Sequence, residues 1–307
     1  MASLELDRIL ERAFVRVKER WVKAGLTLIL STGIILGATL VFAIASGALA
    51  FIFLTLLKPL AILGVILAFL VFLGGVVWTS AWSSLAYAKT IVSESQIGPF
   101  KALSEARALA LPYAIFLVLY FFFMLGLLPY LAIPFILWSI WGALYLYVFL
   151  AEPKAREGLK PLWRSRDLVK GNSLKILLIF LLFLGIEILG LIFSLSRSSI
   201  ISLLWYLFSV FFISPFSVSV YWEIYKDLAA QKREVKISRS VVSLVFSIIG
   251  LLFIIGLFVA AAKGVSRATR RMNLKRFIQK IEREKRIKRY PYKFKNKTSA
   301  GYNTSYY

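Results

Sequence analysis

Residues 152–175 read EPKAREGLKPLWRSRDLVKGNSLK, the longest polar interruption between apolar runs in this chain. What flanks it decides the fold. Upstream, residues 134–151 (PFILWSIWGALYLYVFLA) carry no charge, and downstream, residues 176–195 (ILLIFLLFLGIEILGLIFSL) carry only Glu187. About 20 apolar residues cross a hydrocarbon core of about 30 Å as a helix. Backbone in lipid must satisfy its own hydrogen bonds, which leaves helices or a closed barrel. The runs are continuous rather than alternating, so the expectation is an all-α, polytopic membrane bundle.

Composition agrees. Of 307 residues 60% are hydrophobic, with a mean hydropathy of +0.79, more apolar surface than a water-soluble domain of this length conceals. There is no Cys and no His. That excludes disulfides, thiolate and imidazole metal sites, and Cys or His catalysis. No cofactor and no metal is expected. The net charge of +23 is concentrated at one end: beyond residue 262 stand 15 Lys/Arg against two acids.

Read in order, residues 1–24 form an amphipathic interfacial helix, with Leu6, Ile9, Leu10, Phe14, Val17 and Trp21 at helical spacing. Their mixed charge does not resemble a cleavable signal. A six-span membrane domain follows over 25–237. Span 1 covers about 25–45 and contains Gly33-x-x-x-Gly37, a helix-packing spacing. Residues 46–58 read as a connection, span 2 as about 60–88, and 98–111 as a weakly amphipathic stretch before Pro112 opens span 3. Span 4 covers about 134–151, span 5 about 174–195, and span 6 about 200–224 with Pro215 inside it. Residues 238–262 predict a seventh transmembrane helix. Residues 263–307 are a basic tail, helical at first and then disordered. GPFKAL at 98–103 and GLKPLW at 158–163 hint at a repeated unit.

Within the central stretch, Leu159, Leu162, Trp163 and Val169 suggest a second interfacial helix with Lys160, Arg164 and Arg166 turned towards phosphates, and Gly171-Asn172 reads as its stop. An aromatic-rich span, Glu152, a glycine-containing turn, Leu162-x-x-Ser165 and Lys170-Gly171-Asn172 follow one another in that order. In this order of motifs, over roughly residues 5–237, the chain resembles the six-span membrane proteins of bacteria and archaea related to the membrane domain attached to some glycerophosphodiester phosphodiesterases. The resemblance implies structural roles for Glu152, Ser165, Gly171 and Asn172. The residue before the Ser helix is usually Ala in that family, whereas Leu162-Trp163 stands here. It implies no enzymatic activity, because this chain has no phosphodiesterase domain.

Glu187 is the one ionisable residue clearly inside a span, flanked by Gly185 and Gly190. It is the candidate intramembrane polar site, either as a proton, cation or headgroup contact or as a structural carboxyl facing the bundle. Lys/Arg are concentrated in the N-terminal helix and in the 89–111, 152–175 and 225–239 loops, which predicts a cytoplasmic N-terminus in the cell membrane. A seventh span would place the basic tail outside, against the same rule. An insertion of 46–57 as an extra hairpin would change the parity.

The expected function is that of a non-enzymatic membrane bundle that interacts with lipids or partner subunits. Anionic headgroups are expected to meet the tail, and a homo-oligomer or partner subunit belongs to the same scheme; nucleic acid is disfavoured. The alternative is a transporter or permease-like subunit served by a separate ATPase, with 98–111 and 158–172 as coupling helices.

Overall fold

The protein is described by a computed structural model over residues 4–127, 132–194, 199–231 and 245–256. The tail at 263–307 and the flanks of the expected seventh span lie outside the described residues. Among the described residues all regular structure is helical. Six helical segments are long and apolar enough to cross a membrane. Among the described residues, those up to Gly250 form one compact unit, and residues 251–256 belong to a second.

Helix α1 runs unbroken from Leu6 to Thr55. Its first part does not form a separate interfacial helix, and 46–55 is neither a connection nor an extra hairpin. No Pro and no charge interrupts 24–57, so nothing in the sequence stops the helix. These 34 uncharged residues are about 51 Å long at 1.5 Å per residue, well beyond a hydrocarbon core of about 30 Å. Such a helix must tilt or project from the bilayer. A 3₁₀ turn at Lys58–Leu60 reverses the chain into α2, Ala61–Val92. The resulting hairpin closes through glycine sockets: the Phe53 ring rests on Gly64 and the Phe42 ring on Gly75, where a Cβ would overlap the ring.

Helix α3 spans Pro99–Leu127 and passes straight through Pro112. The stretch 98–111 is therefore the start of span 3. The likeness to 158–163 ends there, because the later copy opens a separate helix. Span 4 is broken: α4 (Ala132–Trp141) and α5 (Tyr145–Ala151) are separated by a turn at 142–144. After a 3₁₀ turn at Pro153–Ala155 come α6 (Lys160–Val169) and α7 (Ser173–Ser194). Span 6 is α8 (Ser199–Phe208), a π-helical turn at Ser209–Ile213, and α9 (Ser214–Gln231). Pro215 supplies no N–H to the preceding turn, and the π-turn accommodates it. Helix α10, Val245–Gly256, is the described part of the expected seventh span. Gly250 and Gly126 let α10 and α3 meet backbone to backbone, each facing a main-chain carbonyl across the contact.

Among the described residues two large apolar clusters, and a small third of Ala24, Tyr87 and Ile91, fill the bundle. One joins Ile9 and Ala13 of α1 to Val148, Leu168, Ile176, Val220 and Ile224. The other joins Leu85 and Ala106 to the aromatic stack of Tyr113, Phe116, Phe123 and Phe149, with Leu162 of α6. The inward stripe of α1 is Ile9, Ala13, Val17, Arg20 and Ala24. Phe14 is 64% exposed, so the stripe expected from hydropathy is rotated from the buried one. The amphipathic segment thus packs on its own chain rather than lying flat in the interface.

Candidate functional site

The charged side chains of the bundle gather where α1, α9 and the central connection meet. Glu223 of α9 is 1% exposed. Arg16 donates to its Oε1 from Nη2 at 2.8 Å and from Nε at 3.1 Å. Lys226 Nζ lies 2.8 Å and Arg12 Nε 3.7 Å from its Oε2. Arg12 also donates to Asp227 at 2.6 Å, and that hydrogen bond holds its guanidinium more firmly charged than usual. This ion-pair cluster joins the start of α1 to the end of α9.

Arg20 has a different partner. It is buried one turn before span 1 and donates to the carbonyls of Ile91 at 2.8 Å, Ser93, and Glu94 at 3.3 Å. The Ile91 carbonyl is among those that the end of α2 leaves without helical donors, and Ser93 and Glu94 lie just beyond that end. A guanidinium there also meets the negative end of the helix dipole. Burial, and secondarily the neighbouring Arg16, pull its pKa below the ordinary value. Arg156 caps α5 in the same manner, donating to Phe149 O at 2.8 Å and Leu150 O at 3.0 Å, with its pKa lowered by burial.

The central connection is built inward. Arg164 donates from Nε to both oxygens of Glu152, at 3.1 and 3.0 Å. The Tyr225 hydroxyl donates to Glu152 Oε1 at 3.1 Å. Glu152 therefore ties α6 to α9. Ser165 is fully buried and fills the break in span 4: its Oγ accepts from Leu144 N at 3.1 Å and donates to Trp141 O at 2.5 Å. Gly171 has φ +96°, a conformation that excludes most L residues. It ends α6, and the Asn172 carbonyl accepts from Ile176 N–H at 3.2 Å as α7 begins. The motif residues Glu152, Ser165, Gly171 and Asn172 thus all stand at joints of the fold. Arg164, expected to face phosphates, instead faces a carboxylate. Lys160 pairs with Glu157 at 2.5 Å.

Arg166 is different. Its guanidinium sits over the rings of Trp141, Trp163 and Trp138, at 5.1, 5.2 and 5.7 Å from their centroids. The indoles of Trp138 and Trp163 meet edge to face at 4.8 Å. The Arg166 guanidinium makes no hydrogen bond or ion pair with any described residue. The Trp163 indole N–H, buried in the same cage, also lacks an acceptor. Aromatic richness was visible in the sequence, but the convergence of three tryptophans on this arginine was not.

Glu187 does not face the bundle. It is exposed on the outer surface of α7, beside exposed Leu184 and Ile188, and pairs with no described residue. Gly33 and Gly37 also face outward, with no atom within 4 Å of a Cβ placed on either. The helix packing expected of that pair falls, inside this chain, to Gly64, Gly75, Gly126 and Gly250. Among the described residues no three Asp or Glu side chains converge on a possible metal site. A groove of about 840 Å³ opens between α1 and the end of α9, lined by Arg8, Glu11, Arg12, Glu19, Arg20 and Asp227. Cations and acids both line it, and the Arg12–Asp227 and Arg16–Glu223 pairs form part of its wall. Comparison of the chain with known protein families, with curated proteins and with solved structures finds no match.

Proposed function

We propose that this multi-pass protein works by binding, as a non-catalytic bundle in the cell membrane that engages lipids or a partner subunit. One observation carries the reading: the buried charges are spent on helix joints, while an unpaired carboxyl and a glycine pair face outward and one guanidinium is held only by ring faces. Glu223, Glu152, Arg20 and Arg164 all have partners within the chain. Glu187, Arg166, Gly33 and Gly37 have none among the described residues for the roles they suit. The broken span 4 is the feature most like a transporter, since irregular backbone inside a membrane commonly lines a substrate path. Here Ser165 plugs it and Leu162 packs beside Gly142, so the permease reading gains no support from it.

The same reading puts the N-terminus in the cytoplasm, because the loops on its side carry the Lys/Arg excess. Contact of the basic tail with anionic headgroups and self-association belong to this proposal as well. Reporter fusions after Lys236 and Tyr307 test the orientation: Lys236 is expected to report cytoplasmic. Proteoliposomes test the class of function. No proton or cation flux above that of empty liposomes is expected. A flux that Glu187→Gln abolishes refutes the binding reading in favour of transport.

A further inference from the structure

We propose that Arg166, held among Trp138, Trp141 and Trp163, is the anchor of a binding site for a phosphate-bearing group. The inference rests on the lipid-binding reading above and names the chemistry of one contact. Among the described residues, every other buried or half-buried lysine and arginine has a hydrogen bond or ion pair: Arg16 with Glu223, Arg20 with three carbonyls, Lys23 with Gln96, Lys89 with Glu105, Arg156 with two carbonyls, Lys160 with Glu157, Arg164 with Glu152, Lys175 with Leu4 O, and Lys226 with Glu223. Arg166 alone is held only by ring faces.

Stacking consumes the π-face of a guanidinium and leaves its N–H edges for acceptors in the plane. That planar fork matches two oxygens of a phosphate. The indoles fix the guanidinium in one orientation and keep water from its faces, which strengthens a charge-assisted hydrogen bond. The unsatisfied Trp163 N–H is a second donor in the same cage. Tryptophan clusters favour the depth of lipid headgroups, and Arg166 lies in the most charged connection between two spans. The oxygen acceptor is a phosphodiester of a phospholipid or a free phosphate.

The test uses the full chain in mild detergent, with native mass spectrometry of the wild type, R166Q, R166K and the exposed-site control R107Q. Each is titrated with phosphatidylglycerol, with phosphatidylcholine, and with inorganic phosphate. Retention of a phospholipid that falls about tenfold in R166Q, falls less in R166K and is unchanged in R107Q supports the site. Competition by inorganic phosphate assigns it to free phosphate, and its absence to the lipid. If R166Q is not monodisperse, R166K decides: it keeps the charge but loses the fork, so a fall in retention supports the site and unchanged retention overturns it. Equal retention by wild type and R166Q overturns the site and leaves the lipid-binding reading standing. Wild-type retention no greater than that of an unrelated membrane protein overturns both.

Discussion

Removing the Glu223 carboxylate should loosen the contact between the two ends of the six-span unit. The side chain is 1% exposed and receives two hydrogen bonds from Arg16. Each hydrogen bond to a charged group contributes about 1.5–3 kcal/mol, and truncating one partner of a buried ion pair costs about 3–5 kcal/mol. Arg12 and Lys226 add little, since their side chains are 46% and 39% exposed and such pairs are worth about 0–1 kcal/mol. Glu223→Ala should therefore destabilise by about 3–5 kcal/mol. Glu223→Gln should cost less, because its amide oxygen still accepts from Arg16. A double-mutant cycle isolates the pair: coupling between Arg16→Ala and Glu223→Ala should be about 2–3 kcal/mol. The exposed pair Lys160–Glu157 should couple by less than about 1 kcal/mol. The readout is unfolding followed by tryptophan fluorescence in one detergent. An Arg16–Glu223 coupling no larger than that of Lys160–Glu157 would refute the claim that this joint holds α1 to α9.

The other joints make separate predictions. Ser165→Ala leaves the buried Leu144 N–H and Trp141 C=O without partners and should cost about 1–3 kcal/mol, whereas Ser139→Ala, which removes only a bond to the helix's own Phe135 carbonyl, should be nearly neutral in the same unfolding assay. Gly25→Ala drives a Cβ into the Phe211 ring and should cost about 1–3 kcal/mol; Phe211→Ala should recover part of that loss in the double variant. Gly33→Ala and Gly37→Ala meet nothing within the chain, so monomer stability should hold or rise by up to about 1 kcal/mol. If the outward glycine pair mates with another copy, the same two variants should shift the protein from dimer to monomer in single-molecule photobleaching. Gly171→Ala must adopt φ +96° and should lower the melting temperature measurably, where Asn172→Ala should not.

The sequence made the class of fold legible because hydrocarbon thickness leaves few options for long uncharged runs. Boundaries were less legible wherever a stop depended on partners. Nothing in 24–57 ends a helix, and α1 indeed continues to Thr55; reading a connection at 46–58 treated the length of a span as if it were a helix stop. Pro112 looked like a start, yet α3 carries it internally. The reverse happened in span 4. No proline stands between Trp138 and Ala151, and the helix still breaks at 142–144, because Ser165, 21 residues beyond Leu144, accepts the N–H that a continuous helix would have used. A long-range side chain leaves no local mark on the stretch it interrupts.

The same limit decides which residues stand out in the sequence and which do not. Glu152, Ser165 and Gly171 stood out through their order along the chain; Ser165 and Gly171 act on elements close to them in sequence, and Glu152 reaches both the nearby α6 and, through Tyr225, the distant α9. Arg20 did not stand out. Its partners, the carbonyls at 91, 93 and 94, belong to the end of another helix and carry no side-chain signature. Arg164 and Arg166 sit two residues apart on α6, and sequence gives both the same aim. One helical position towards Glu152 makes Arg164 a strut; a further 200° around the helix, by 100° per residue, Arg166 reaches the three indoles instead. Burial of the first charge requires a carboxylate beside it, and Glu152 supplies one. The second has only ring faces, which stabilise a cation without satisfying its donors. That difference, between a guanidinium paired with a buried carboxylate and one held only by ring faces, is what points outward from this fold to a ligand.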